Sequence, residues 1–225
     1  MSNILTSGCG ISFSGERPTW TKVLKICGLN ITDVSGPAIS NQLIVNQLLT
    51  EVYKNKFDHV VCQLTSVGKL DVEINNKNKW LMENDKLRNF VYKKYWPSSH
   101  SQDHFIKANY HEYLYSPSLE EEDIIFKLLL LQEKCKQSNC KLHILQGYKI
   151  NWTNKLIDQI KFNKDYIIYD DYKNSEYYKK HDFTNKNTVP NIGFQIYFAK
   201  HICNNILKIE NNKLKKFNAQ IDINA

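Results

Sequence analysis

The segment His59-Val-Val-Cys-Gln-Leu64 constrains the fold more than any other part of the chain. Its apolar stretch is too short for a buried helix and lacks the polar alternation of a strand with one wet face. A run of this kind is expected of a strand covered on both sides, as in parallel sheets flanked by helices. The chain around it repeats the theme. Residues 3–9 read as a short strand entering a loop that holds Gly10 and Gly15; Pro18 then opens a helix to about Cys27, which Gly28 ends. A second strand, Asn30 to Val34, meets the turn Ser35-Gly36-Pro37, and Ser40 caps a helix carrying Leu43, Ile44, Gln47, Leu48 and Val52 at helical spacing.

Downstream, Ser118 is expected to cap a long helix from Leu119 to about Ser138, with Glu120, Glu121, Glu122 and Asp123 placed favourably near its start. A fourth strand, Lys141 to Gln146, precedes a helix near 153–162 and a fifth strand, Asp165 to Tyr169. Pro190 opens a last helix with Ile192, Ile196, Ala199 and Cys203 along its apolar side. Strands separated by helices define an α/β class: a flavodoxin-like three-layer sandwich around a parallel sheet of about five strands. With 225 residues, of which 42% are hydrophobic, one domain over 1–208 is expected. Residues 68–117, rich in Lys, Asn, Tyr and Trp, read as an insertion with some helical content, including a short helix at 82–94. Residues 209–225 read as a polar, loosely attached tail.

The net charge of +7 invites a nucleic-acid partner. The detail argues against one, because the sequence holds 28 Lys but only Arg17 and Arg88, and the planar fork that reads guanine and clamps phosphate belongs to Arg. The lysines are scattered among 25 Asn, as on a solvated basic surface. No run approaches 18 apolar residues, since Ile124–Leu131 is broken by Lys127, so no membrane partner is expected. No signal peptide is visible at the N-terminus. The six cysteines form no CxxC pair and no ligand spacing with His; reduced thiols, a cytoplasmic location and no metal or cofactor follow as expectations.

In an open α/β sheet, ligands bind beyond the carboxyl ends of the strands, which directs attention to the loops there. The first loop, Ser7-Gly8-Cys9-Gly10-Ile11-Ser12-Phe13-Ser14-Gly15, offers a serine at a glycine-punctuated turn with backbone N–H groups nearby. That suits a nucleophile with part of an oxyanion hole, or equally a plain turn or a phosphate cradle. It carries neither a Walker ending nor GxGxxG.

Taken in order, these loops resemble the SGNH (GDSL-like) hydrolases. Gly10-Ile11-Ser12-Phe13-Ser14 is similar to the family's Gly-Asp-Ser-x-Ser block, with Ile11 in place of the Asp, and Arg17-Pro18-Thr19-Trp20 continues as in one branch of it. Ser35-Gly36-Pro37 resembles the second block, in which a Gly supplies an oxyanion N–H. Cys62-Gln63-Leu64-Thr65-Ser66 falls at the third, without the usual Asn. Thr188-Val189-Pro190-Asn191 resembles the surroundings of Asp-x-x-His-Pro, but Val189 and Lys186 stand where the dyad His and Asp belong. The resemblance implies Ser12 as nucleophile and Gly36 as oxyanion donor, with Gln63 or Thr65 assisting.

Without a base, a serine hydroxyl is a poor nucleophile near neutral pH. His181, followed by Asp182 in the same polar loop, is the nearby candidate base; a solvated surface His is the bland alternative. Asp103-His104 reads as a surface pair, and His111-Glu112 has no second His at the zincin spacing. His59 and His143 lie at or near strand starts, where a structural role is expected.

Three readings of function stay open. The first is an ester hydrolase acting on an acylated carbohydrate or similar small ester. The second is a degenerate relative that binds a glycan or a partner in the same cleft. The third is an assembly protein that uses the aromatic insertion, whose Tyr and Trp faces suit either sugar stacking or an interface. The oligomeric state is left open.

Overall fold

The computed structural model describes residues 2–9, 19–36, 39–65, 67, 71–73, 95–97, 116–147, 149–160 and 192–216. A four-stranded, all-parallel sheet lies at its centre. Its strands are β1 (Asn3–Ser7), β2 (Asn30–Asp33), β3 (His59–Leu64) and β6 (Lys141–Gln146), in the order β2-β1-β3-β6. Register runs Ile4 opposite Ile31, Leu5 opposite Val60 and Cys62 opposite Ile144. The reversal of strand order between β2-β1 and β1-β3 is that of the flavodoxin-like sheet. The expected fifth strand, 165–169, lies outside the described residues.

The pleat divides each strand between two cores. Leu5, Val60, Cys62, Leu64 and Ile144 face α2 (Asn41–Lys54) and α3 (Pro117–Gln137). Ile4, Ile31, Val61 and Leu145 face α1 (Trp20–Ile26) and α4 (Ile192–His201), which continues into a π-helical turn, Ile202–Ile206. Trp20 meets Phe198 edge-to-face at 5.4 Å, an arrangement favoured by the ring quadrupoles. Every residue of β3 is buried, as its apolar run requires.

Several helix boundaries differ from expectation. Thr19, rather than Pro18, adjoins the first helix, accepting from Lys22 N at 3.3 Å. Ser116, not Ser118, caps α3, which puts Pro117 in the first turn, where its missing N–H costs nothing. Residues Lys155–Gln159 form a short 3-10 helix in place of the α-helix expected near 153–162, capped by Asn154. Gly28 does end α1, at φ +89°, in the left-handed region natural to glycine.

The carboxylate Glu121, expected near the helix start, is buried. It accepts from Thr153 N, Thr153 Oγ1 and Asn154 N, tying α3 to the segment after β6. The tail is anchored at its beginning. In α5 (Asn212–Lys216), Leu214 is buried against the α1/α4 core, and Asn211 Nδ2 donates to Cys27 O at 3.1 Å. Within the insertion, β4 (Asp71–Glu73) and β5 (Tyr95–Pro97) pair antiparallel, a small two-stranded sheet the sequence reading did not anticipate. The helix expected at 82–94 lies outside the described residues.

At the amino edge of the sheet, His59 Nδ1 and His143 Nε2 lie 3.1 Å apart with the rings stacked. Burial lowers both imidazoles below their ordinary value. The His59 ring and Lys141 add to the effect at His143, which falls to about 4; at His59, Lys141 adds and Asp58 opposes. Among the described residues, no helix is long and apolar enough to cross a membrane.

Candidate active site at the carboxyl edge of the sheet

The crossover between β1 and β3 opens the sheet at its carboxyl edge, and three loops meet there. Ser7, the last residue of β1, points to the α2 side with Leu5, and its buried hydroxyl donates to Gln47 Oε1 at 3.2 Å. The next residue, Gly8, accepts from Gly36 N at 3.1 Å, just beyond the ladder bond Val34 N to Thr6 O at 2.9 Å. The first and second loops are thus joined by backbone where they leave the sheet.

Asp33, at the end of β2, gathers this corner. Its carboxylate accepts from Thr6 Oγ1 (3.0 Å), Thr21 Oγ1 (2.6 Å) and Ser35 N (3.0 Å), and Thr19 Oγ1 lies 2.7 Å from Thr21 Oγ1. Three of its roughly four lone-pair directions are taken, so this carboxylate ties the starts of the loops together. Across the sheet face, Gln195 of α4 accepts from Trp20 N at 2.7 Å, supplying a partner for one of the orphan amides at the start of α1.

The exit of β3 is held by Asn41. Its Oδ1 accepts from Thr65 N at 2.7 Å and its Nδ2 donates to Thr65 O at 3.0 Å, a bidentate clasp between the first residue of α2 and the third loop. Asn41 is fully buried. At the exit of β6, Gln146 Oε1 accepts from Ile150 N at 3.0 Å. Neither Asn41 nor Asp33 stood out in the sequence. The one available signal was a side-chain amide and a carboxylate beside turn residues, which is common in loops of every kind.

Of the residues that the resemblance singles out for catalysis, Gly36, Gln63 and Thr65 are described, and the backbone of Thr65 is held by Asn41. Gly36 is buried and its N–H is engaged by Gly8 O, so an oxyanion role requires that bond to be exchanged. Gln63 is buried on the α1/α4 face, sharing the side of Val61 by pleat parity, one residue beyond the last β1 pairing, Ser7 with Cys62. The two flank β1 from β2 and β3 at the same edge. Ser12, His181, Lys186 and Val189 lie outside the described residues. Among the described residues, no group of three or more His, Cys, Asp or Glu could hold a metal ion. No protein-family model, curated protein or solved structure matches the chain.

Proposed function

We propose that the chain is an SGNH-like serine ester hydrolase, working in a cytoplasmic setting on an acylated carbohydrate or similar small ester, with an atypical catalytic base. Ser12 attacks the acyl carbon, and its own backbone N–H and that of Gly36 receive the developing oxyanion, with Gln63 or Thr65 assisting. His181 serves as the base. One observation carries this reading: the Gly36–Gly8 bond holds the first and second loops side by side at the switch point, where the three sequence blocks would have to converge.

A second reading draws on Val189 and Lys186, which cannot act as base and orienting acid. In it the same cleft binds a glycan or a partner without turnover. Intact-mass analysis after incubation with a fluorophosphonate probe separates the two. A single adduct on the native protein, lost in Ser12→Ala, is expected for the hydrolase. A folded native chain that takes no adduct overturns it in favour of binding.

A further inference from the structure

The carboxyl end of α3 closes in a Schellman motif. Cys140 N donates to Cys135 O at 2.8 Å, Asn139 N donates to Lys136 O at 3.1 Å, and Asn139 adopts φ 54°. This motif brings the side chain of the third-last helical residue against that of the second residue past the cap, usually as an apolar contact. Here those residues are Cys135 and Cys140, and the Cys140 thiol donates to Lys141 O at 3.9 Å.

Their surroundings differ. Cys135 is buried at 1% exposure, whereas Cys140 (8%) lines a cavity of about 710 Å³ at the amino edge of the sheet, together with Asp58, His59, Lys136 and Lys141. We propose that Cys135 and Cys140 form a redox-reactive dithiol, in which Cys140 takes thiol oxidants from the cavity and Cys135 resolves the adduct into an intrachain disulfide. Interaction with the neighbouring Cys135 lowers the Cys140 thiol against the opposing effects of burial and Asp58, and interaction with Cys140, with burial, pushes Cys135 up. Cys140 lines the cavity and Cys135 does not, so an oxidant reaches Cys140 first and Cys140 is the attacking thiol.

The chemistry balances with a low-molecular-weight disulfide such as oxidised glutathione as oxidant. Cys140 thiolate attacks one sulfur of R–S–S–R, forming Cys140–S–S–R and expelling one thiolate with the electron pair of the broken bond. Cys135 then releases its proton to solvent and attacks the Cys140 sulfur, expelling the second thiolate. Two protein thiols are oxidised to one disulfide, and the reagent is reduced to two thiols. The short loop that the 2.8 Å backbone bond already closes keeps the partners together for the second step.

The test uses the full chain, reduced and then incubated with oxidised glutathione, followed by intact mass and non-reducing peptide mapping. The expected product has lost two hydrogens, carries no glutathione and contains a Cys135–Cys140 linkage. Cys135→Ser is expected to retain one glutathione on Cys140. Brief alkylation of the native protein is expected to mark Cys140 about 10-fold faster than any other cysteine. The proposal is overturned if glutathione stays on Cys140 of the native chain without a linkage. A linkage through Cys62 or another cysteine, or six unreacted thiols in the folded protein, overturns it equally. Mapping of the native chain decides even if the variant does not fold.

Discussion

Replacing Asn41 by alanine removes the clasp on the third loop while leaving every apolar residue in place. Two hydrogen bonds are lost, at 2.7 and 3.0 Å, both to the Thr65 backbone and both buried. Each contributes a net ~1 kcal/mol, and an amide or carbonyl deprived of a buried partner costs a further ~1 kcal/mol or more. A small cavity adds to this. The expected loss is about 3 kcal/mol, roughly a hundredfold in the folding equilibrium constant. Urea denaturation followed by circular dichroism measures it: with m near 2–3 kcal/mol/M, the midpoint falls by about 1 M while m is unchanged. Thr50→Ala is the control, because its hydroxyl bonds Asn46 O at an exposed site and its loss is expected to stay within about 0.5 kcal/mol. A destabilisation under about 1 kcal/mol for Asn41→Ala would refute the argument that this clasp holds the loop. The same variant is expected to lose any fluorophosphonate adduct more readily than it loses its fold.

Two further outcomes concern pH. Burial opposes ionisation of Glu121, but the bonds from Asn154 N, Thr153 Oγ1 and Thr153 N outweigh it and hold the carboxyl below its usual range. With the folded pKa depressed, its contribution is complete above the unfolded value and is lost as pH falls through the folded one, so Glu121→Gln should destabilise by about 2 kcal/mol at pH 7 and by progressively less in acid. A pH-independent difference in urea midpoints would contradict this. His143 also has a depressed folded pKa, about 4 against an ordinary 6.5, so stability should decline between those values as the unfolded chain gains the proton first. In His143→Gln that decline should flatten, and imidazole proton shifts read by NMR in the native chain should show a midpoint well below 6; a midpoint near 6.5 would refute it.

The central sheet was legible because its signals are local. His59–Leu64 announces burial on both faces within six residues, and Ser40 announces a cap by its own side chain, confirmed at 3.1 Å to Leu43 N. The misplaced start of α3 was also a local matter: with Ser116 and Ser118 both available, a proline favoured in the first helical turn assigns the cap to the residue before it. What could not be read are the ties between distant positions. Asn41 meets Thr65, and Glu121 meets Thr153, through polar side chains that obey no periodicity. The short 3-10 helix at Lys155–Gln159 follows directly on the Thr153 and Asn154 amides that Glu121 takes, another tie the sequence does not show. At the candidate site, Gly36 and Gln63 lie at the carboxyl edge of the sheet, and the sequence gave no sign that the Gly36 amide is already engaged.

The two cores draw on different lengths of chain, and this sets an order for synthesis. Among the described residues, everything that covers the α2/α3 side of the sheet lies between Leu5 and Ile160 and is synthesised before residue 192. The opposite side cannot close so early: Ile4, Val61 and Leu145 await Phe194, Phe198, Ile202 and finally Leu214. A nascent chain with residues up to 160 outside the ribosome would carry a sheet whose described cover is complete on one side and, apart from α1, missing on the other. That half-covered intermediate is the species in which a chaperone would find apolar strand surface to hold.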